Sequence, residues 1–151
     1  MAGLRVAAEN TAVVALAAAT AKTALQLNAP ANQRLKLLRA GIFFDGASTT
    51  AVPVLVRAIR KTTAGTGTAL TLTKQVSSDS ETIQTTATEN HTAEGTGTTD
   101  IIDQWLIHPQ MGIDITLAFG QEKIIVGGGR VALVVTAPAV VNCLCKIEFE
   151  E

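Results

Sequence analysis

Apolar and polar positions alternate along most of this chain with a period of two, and the three-to-four spacing of an amphipathic helix is scarce. Short runs carry the signal. They are Leu25 with Leu27; Leu35 and Leu37, then 42–44; Val52, Val54 and 56–59; 101–107; Ile113, Ile115 and Leu117; 124–126; 131–135; and 141–149. Such runs predict eight or more strands and an all-β chain. Turn-forming residues separate them at Asp45 with Gly46, at 109–112, at Gly120 and at 127–129, the spacing of a sandwich or barrel. Pro30, Pro53, Pro109 and Pro138 all fall at expected strand ends or edges, where a missing N–H does no harm. The expectation is a single antiparallel β-sandwich over residues 23–151, preceded by an N-terminal arm or first strand over residues 1–22.

Two segments depart from this pattern. Residues 12–21 are dominated by Ala, which favours helix, and Asn10 or Thr11 would serve as its cap; an extended arm or strand is nevertheless expected there, because the rest of the chain is β. Residues 62–100 are crowded with Thr, Ser, Gly and Glu and repeat the run Gly-Thr-Gly-Thr at 65–68 and 95–98. Leu70, Leu72, Val76 and Ile83 mark at most two thin strands in it. This span reads as a long, polar, solvent-facing excursion, with a plain edge hairpin as the alternative. A short echo aligns 25–31 (LQLNAPA) with 133–139 (LVVTAPA) and predicts two similar corners where the chain passes between sheets.

Composition narrows the function. Aromatic residues make up 3% of the 151 positions, with no Tyr, so platforms that stack bases or sugar rings are disfavoured. Twelve Lys and Arg against thirteen Asp and Glu give a net charge of −1, not the basic field of a nucleic-acid-binding domain. The apolar stretch at 12–21 is too short to span a bilayer, and no basic start or cleavage context marks a signal peptide. A soluble chain that binds neither nucleic acid nor membrane is expected. Cys143 and Cys145, two apart on one strand face, read as small buried hydrophobes rather than a disulfide framework. The only histidines are His91 and His108, which leaves no metal motif, and His108 beside Pro109 reads as a turn residue. Ser48, Ser77, Ser78 and Ser80 lack the Gly-X-Ser-X-Gly setting of a nucleophile elbow. Gly127 to Gly129 precede a strand, so they form a tight turn rather than a phosphate cradle. Neither enzyme activity nor a cofactor nor a metal site is expected.

Six landmarks carry a resemblance: LQLNAPAN at 25–32, LRAGIFFDG at 38–46, AVPVLV at 51–56, AGTGTAL at 64–70, HPQMG at 108–112 and RVALVVTAPAVVNCLCKIEFEE at 130–151. Together they resemble small proteins encoded near the capsid genes of tailed bacteriophages and, more loosely, the jelly-roll decoration or cement proteins that sit as trimers on phage heads. The resemblance implies a jelly-roll-like virion protein, made in the host cytoplasm, that binds the major capsid protein and clamps the outer lattice as a homotrimer. Composition alone assigns the contacts: Arg5, Val13, Val14 and Leu16 of the arm, and the basic group Arg34, Lys36 and Arg39. A head-fibre or receptor-binding module, presenting the Thr-rich excursion to a host glycan, is the alternative. A cupin-like metalloenzyme is the weakest reading for want of clustered His.

Overall fold

The computed structural model describes residues 3–46, 52–97 and 99–151. Met1 and Ala2 of the expected arm, Ser48, and Thr98 of the second Gly-Thr-Gly-Thr run lie outside the described residues. The described chain is all-β, as its periodicity predicts, with thirteen strands in two antiparallel sheets packed face to face. In chain order these are β1 (Arg5–Glu9), β2 (Val14–Leu16), β3 (Ala21–Asn28), β4 (Leu35–Phe44), β5 (Val54–Lys61), β6 (Thr66–Leu70), β7 (Thr73–Lys74), β8 (Thr86–Ala93), β9 (Ile101–Ile107), β10 (Gly112–Thr116), β11 (Lys123–Ile125), β12 (Arg130–Thr136) and β13 (Val141–Glu150). Among the described residues no helix is long and apolar enough to cross a membrane.

Strand pairing follows a nested order. β1 and β2 pair with β13, β3 with β12, β4 with β10 and β11, and β5 with β9. First with last, second with next to last, and inward to the middle is the pairing of one long hairpin. Rolled up so that successive strands alternate between sheets, it gives a jelly roll. β10, β11, β4, β13, β1 and β2 form the first sheet, and β3, β12, β5 and β9 the second. The two corners marked by the sequence echo are the passages from β3 to β4 and from β12 to β13, and both lead from the second sheet to the first. Alternate residues of β12 and β13 fill the core between the sheets, among them Leu133, Val135, Ile147 and Phe149. Cys143 and Cys145 lie on the same inward face as free, buried thiols, and burial together with the neighbouring Cys143 thiol raises the pKa of Cys145.

The structure decides between the alternatives left open in two segments. Of arm or first strand, the strand reading describes residues 4–16, which belong to the sandwich: Leu4, Val6, Ala8, Val14 and Leu16 are all buried in its core. Val14 and Leu16 therefore offer no surface to a partner. Nor is the 62–100 span a free excursion. It is a lobe inserted between β5 and β9, the fourth and fifth strand positions of the roll, in which β6 and β8 extend the second sheet beyond β3 while β7 adds to β1 in the first. The edge-hairpin alternative is the closer description, though β8 runs for eight residues where only thin strands were expected.

Few apolar side chains hold this lobe. Leu70 and Ala87 are its buried hydrophobic residues, and burying a Leu contributes about 1.5–3 kcal/mol. Three clamps of one design supply the rest. In each, a carboxylate accepts both the backbone N–H and the hydroxyl of one threonine from a distant part of the chain. Glu89 on β8 takes Thr11 N at 2.9 Å and Thr11 Oγ1 at 2.5 Å, and also Asn10 Nδ2 at 3.0 Å. Glu94 takes Thr23 N at 2.6 Å and the Thr23 hydroxyl. Glu151 takes Thr85 N at 3.0 Å, the Thr85 hydroxyl, and Gln84 N at 2.9 Å. Asn10 completes the first clamp by donating to Ala24 O and accepting from Cys145 N, so one buried polar knot joins β1, β3, β8 and β13.

The two Gly-Thr-Gly runs cross where the lobe leaves and rejoins the sandwich. A Cβ on Gly65 would come 2.3 Å from Ala93 O, and one on Gly95 would come 2.2 Å from Thr63 O. Only glycine permits that approach. Thr62 and Thr63 hydroxyls meet Thr96 Oγ1 at 2.8 and 2.9 Å and tie the two passes together. Gly95→Ala should therefore lower stability by about 1–3 kcal/mol through overpacking. Glu89→Ala should cost on the order of 1–3 kcal/mol through the buried donors it strands. Urea unfolding monitored by circular dichroism checks both.

Candidate interaction surface

The residues singled out in the sequence for chemistry are occupied with structure. Nδ1 of His108 accepts the Gln110 amide at 3.2 Å and its carbonyl accepts the Met111 amide at 2.9 Å, which makes it the turn residue expected. His91 is buried against β6, and its Nε2 lies 2.9 Å from Thr88 Oγ1. No group of three or more His, Cys, Asp or Glu side chains suited to a metal ion occurs among the described residues.

Surface apolarity has a clearer organisation. Of the eleven large hydrophobic side chains exposed among the described residues, six lie within residues 101–126: Ile101, Leu106, Met111, Phe119, Ile124 and Val126. Scattered exposed hydrophobics are ordinary in a soluble protein; their concentration on one flank makes it the candidate contact surface. The topology explains the concentration. β9 ends the second sheet and β10 with β11 ends the first, so the edges of both sheets come together along one side of the roll. Ile102 and Trp105 of β9 meet Ile115 of β10 and Leu117 around a small, mainly apolar void of about 30 Å³ whose rim includes Arg39, Asp103 and Lys123. Side chains that alternate with these inward ones face solvent. Leu106 is 71% exposed, and Phe119, at the tip of the loop joining β10 to β11, is 95% exposed.

The contacts assigned from composition fare differently. Val13 is exposed, whereas Val14 and Leu16 are buried. Arg5 lies 4.0 Å from Glu150 and Lys36 lies 3.2 Å from Glu122. Arg39 binds Asp114 through two nitrogens at 2.6 and 2.7 Å and reaches Glu148 at 3.1 Å. Only Arg34 of the basic group stands exposed with no ion pair of its own among the described residues. Instead of a free basic patch, the outer face of the first sheet carries an internally neutralised network, which Lys146 joins at 2.9 Å from Asp114 while also sitting over the Phe43 ring. The apolar flank was missed because 101–107 reads as a buried strand; nothing in its own residues says that it ends a sheet.

Comparison with protein-family models, curated proteins and solved structures finds no match to this chain.

Hydrogen bonds from Arg39 and then Lys146 hold the Asp114 carboxyl at a pKa of about 2, below its ordinary value of 3.8. A carboxylate depressed in the folded state stabilises the fold above its unfolded pKa and loses that contribution as pH falls toward the folded one. Stability should therefore drop between about pH 4 and about pH 2, and Asp114→Asn should remove that part of the acid slope. Thermal melts across this range, at low salt where exposed charges are least screened, provide the measurement.

Proposed function

We propose that this chain is a structural virion protein of the decoration or cement type, which docks on the outer surface of a tailed-phage capsid, as a homotrimer, and stabilises the lattice. The observation that carries the reading is the apolar flank formed by the meeting edges β9, β10 and β11. It offers large exposed side chains on a sandwich edge, with charged neighbours such as Lys36, which sits over the Phe119 ring and pairs with Glu122. Docking on major capsid protein subunits would remove Leu106 and Phe119 from water, each contributing about 1.5–3 kcal/mol, and no bond need form or break. A trimer would multiply modest single contacts through effective concentration. The landmark resemblance and the jelly-roll pairing agree with this reading.

The contact region differs from the one composition pointed to. β1 and β2 are part of the fold, so a truncation of the first twenty residues would remove two strands and test folding rather than docking. Surface substitutions are the better probe. Leu106→Asp and Phe119→Asp should each weaken co-sedimentation with expanded capsids by about tenfold or more, the equivalent of 1.4 kcal/mol. Val76→Asp, on the lobe and away from the flank, is the control and should bind like the unaltered protein. Unchanged binding by both flank variants would overturn the assignment of the surface. Failure of the unaltered protein to bind capsids, with binding to host cells instead, would overturn the function in favour of the receptor-binding reading.

A further inference from the structure

A second surface lies hidden beneath the inserted lobe. Ile59 on β5 and Ala132 and Val134 on β12 point away from the main core, because their neighbours Ala58, Leu133 and Val135 fill it, yet all three are buried as a separate small cluster. The chain after β8 covers them. Glu94 binds Thr23 on β3 and Lys61 on β5, the two strands that flank β12, so this segment crosses the outer face of β12. Lys61 Nζ also donates to Gly95 O at 3.2 Å, and Arg130 Nη1 to Thr62 O at 3.1 Å.

On β8, just before this strap, sits His91, only 3% exposed. Its ring packs where β6 has no side chain: a Cβ on Gly65 would lie 2.4 Å from Nδ1, and one on Gly67 would lie 2.4 Å from Cδ2. Nε2 has Thr88 Oγ1 as partner, whereas Nδ1 is buried beside the Ala93 backbone without a hydrogen bond of good geometry. The ring is thus enclosed with one nitrogen poorly partnered. We infer that His91 is an acid-operated fastening, whose protonation opens the 62–100 lobe ahead of the sandwich and bares the outer face of β12.

The charged groups around the ring fix the sign. Glu94, on the segment after β8, favours the imidazolium; Lys61 of β5 opposes it; and Lys22 of β3 lines the same cleft. β6 and residues 62–65 bring no charged side chain except through Lys61 just before them. Burial, with Lys61, outweighs the attraction of Glu94 and of the Ala93 backbone, so the pKa of His91 is lowered. A base whose pKa is lowered on folding stabilises the fold above its unfolded value, and that stabilisation is lost as pH falls below it. The window opens near pH 6.5 and extends downward, above the range in which Asp114 acts.

Amide hydrogen exchange followed by NMR, corrected for intrinsic rate and compared between about pH 7.5 and about pH 5, tests this directly. Amides of β8 and of residues 94–97 should lose protection by about tenfold or more relative to those of β12 and β13, the equivalent of one pK unit. In His91→Gln, which keeps a polar group for Thr88, the difference between lobe and sandwich should no longer change with pH. Uniform loss across both sheets, no loss in the lobe, or the same acid response in His91→Gln would each overturn the proposal. Should that variant fail to fold, the ring resonances of the unaltered protein decide, since His108 is the only other histidine. Titration of His91 in step with lobe opening supports the fastening, and titration without opening refutes it.

Discussion

Three carboxylates, each gripping one threonine by its amide and its hydroxyl, hold this molecule in its observed form. Without them the jelly roll would still have its core, but the lobe between β5 and β9 would be held by the β8–β3 and β7–β1 ladders and a few apolar contacts, with Leu70 and Ala87 its buried apolar side chains among the described residues. Hydrogen bonds to a charged acceptor contribute about 1.5–3 kcal/mol each, roughly twice a neutral pair. Two or three per clamp match or exceed what those two side chains supply. Charged hydrogen bonds, more than hydrophobic burial, anchor the lobe beyond its backbone ladders.

The clamps also account for an odd composition. Threonine is abundant because a single threonine offers an N–H and an O–H to one carboxylate in a compact, stiff unit, with its β-branch suited to a strand. Thr11, Thr23 and Thr85 serve in this way, and Thr62, Thr63 and Thr96 bind the crossing passes. Glycine stands where backbones approach closely, as at the Gly65 and Gly95 crossing. Aromatic residues have little place in such contacts. A core of Val, Leu and Ile between the sheets completes an otherwise ordinary sandwich.

Much of the fold was legible in the sequence where alternation was strong. Every apolar run from 25–27 to 141–149 lies in or beside a strand, and the Ala-Pro-Ala echo marked both sheet-to-sheet corners. Legibility failed where residue type and position disagree. Val14, Ala15, Leu16 and Ala17 alternate in burial, yet Ala counts as apolar on either face, so the period of two vanished and the segment read as an arm or a strand without deciding between them. Glu89 and His91 face inward on β8 at positions where a strand pattern expects Val or Ile, so β8 had no apolar signature. Its partners Thr11 and Asn10 are almost eighty residues away, and no local rule connects them. The basic group failed for a related reason: Lys36 and Arg39 are neutralised by acids far along the chain, and a count of charges in one window sees only the cations.

The candidate contact flank follows from topology rather than from any residue in it. Nested pairing places the fourth and fifth strand positions at one edge of the second sheet and the sixth at the corresponding edge of the first, so the chain from β9 to β11 must border both. Apolar residues on both faces of 101–107 would be buried in the middle of a sheet; at its edge, half of them face water. The other margins are arranged differently. β7 has two residues, and β6 carries a glycine and an irregular register against β8, devices that blunt an edge against unwanted pairing. Apolar exposure is therefore concentrated where the roll closes and curtailed where the lobe extends it.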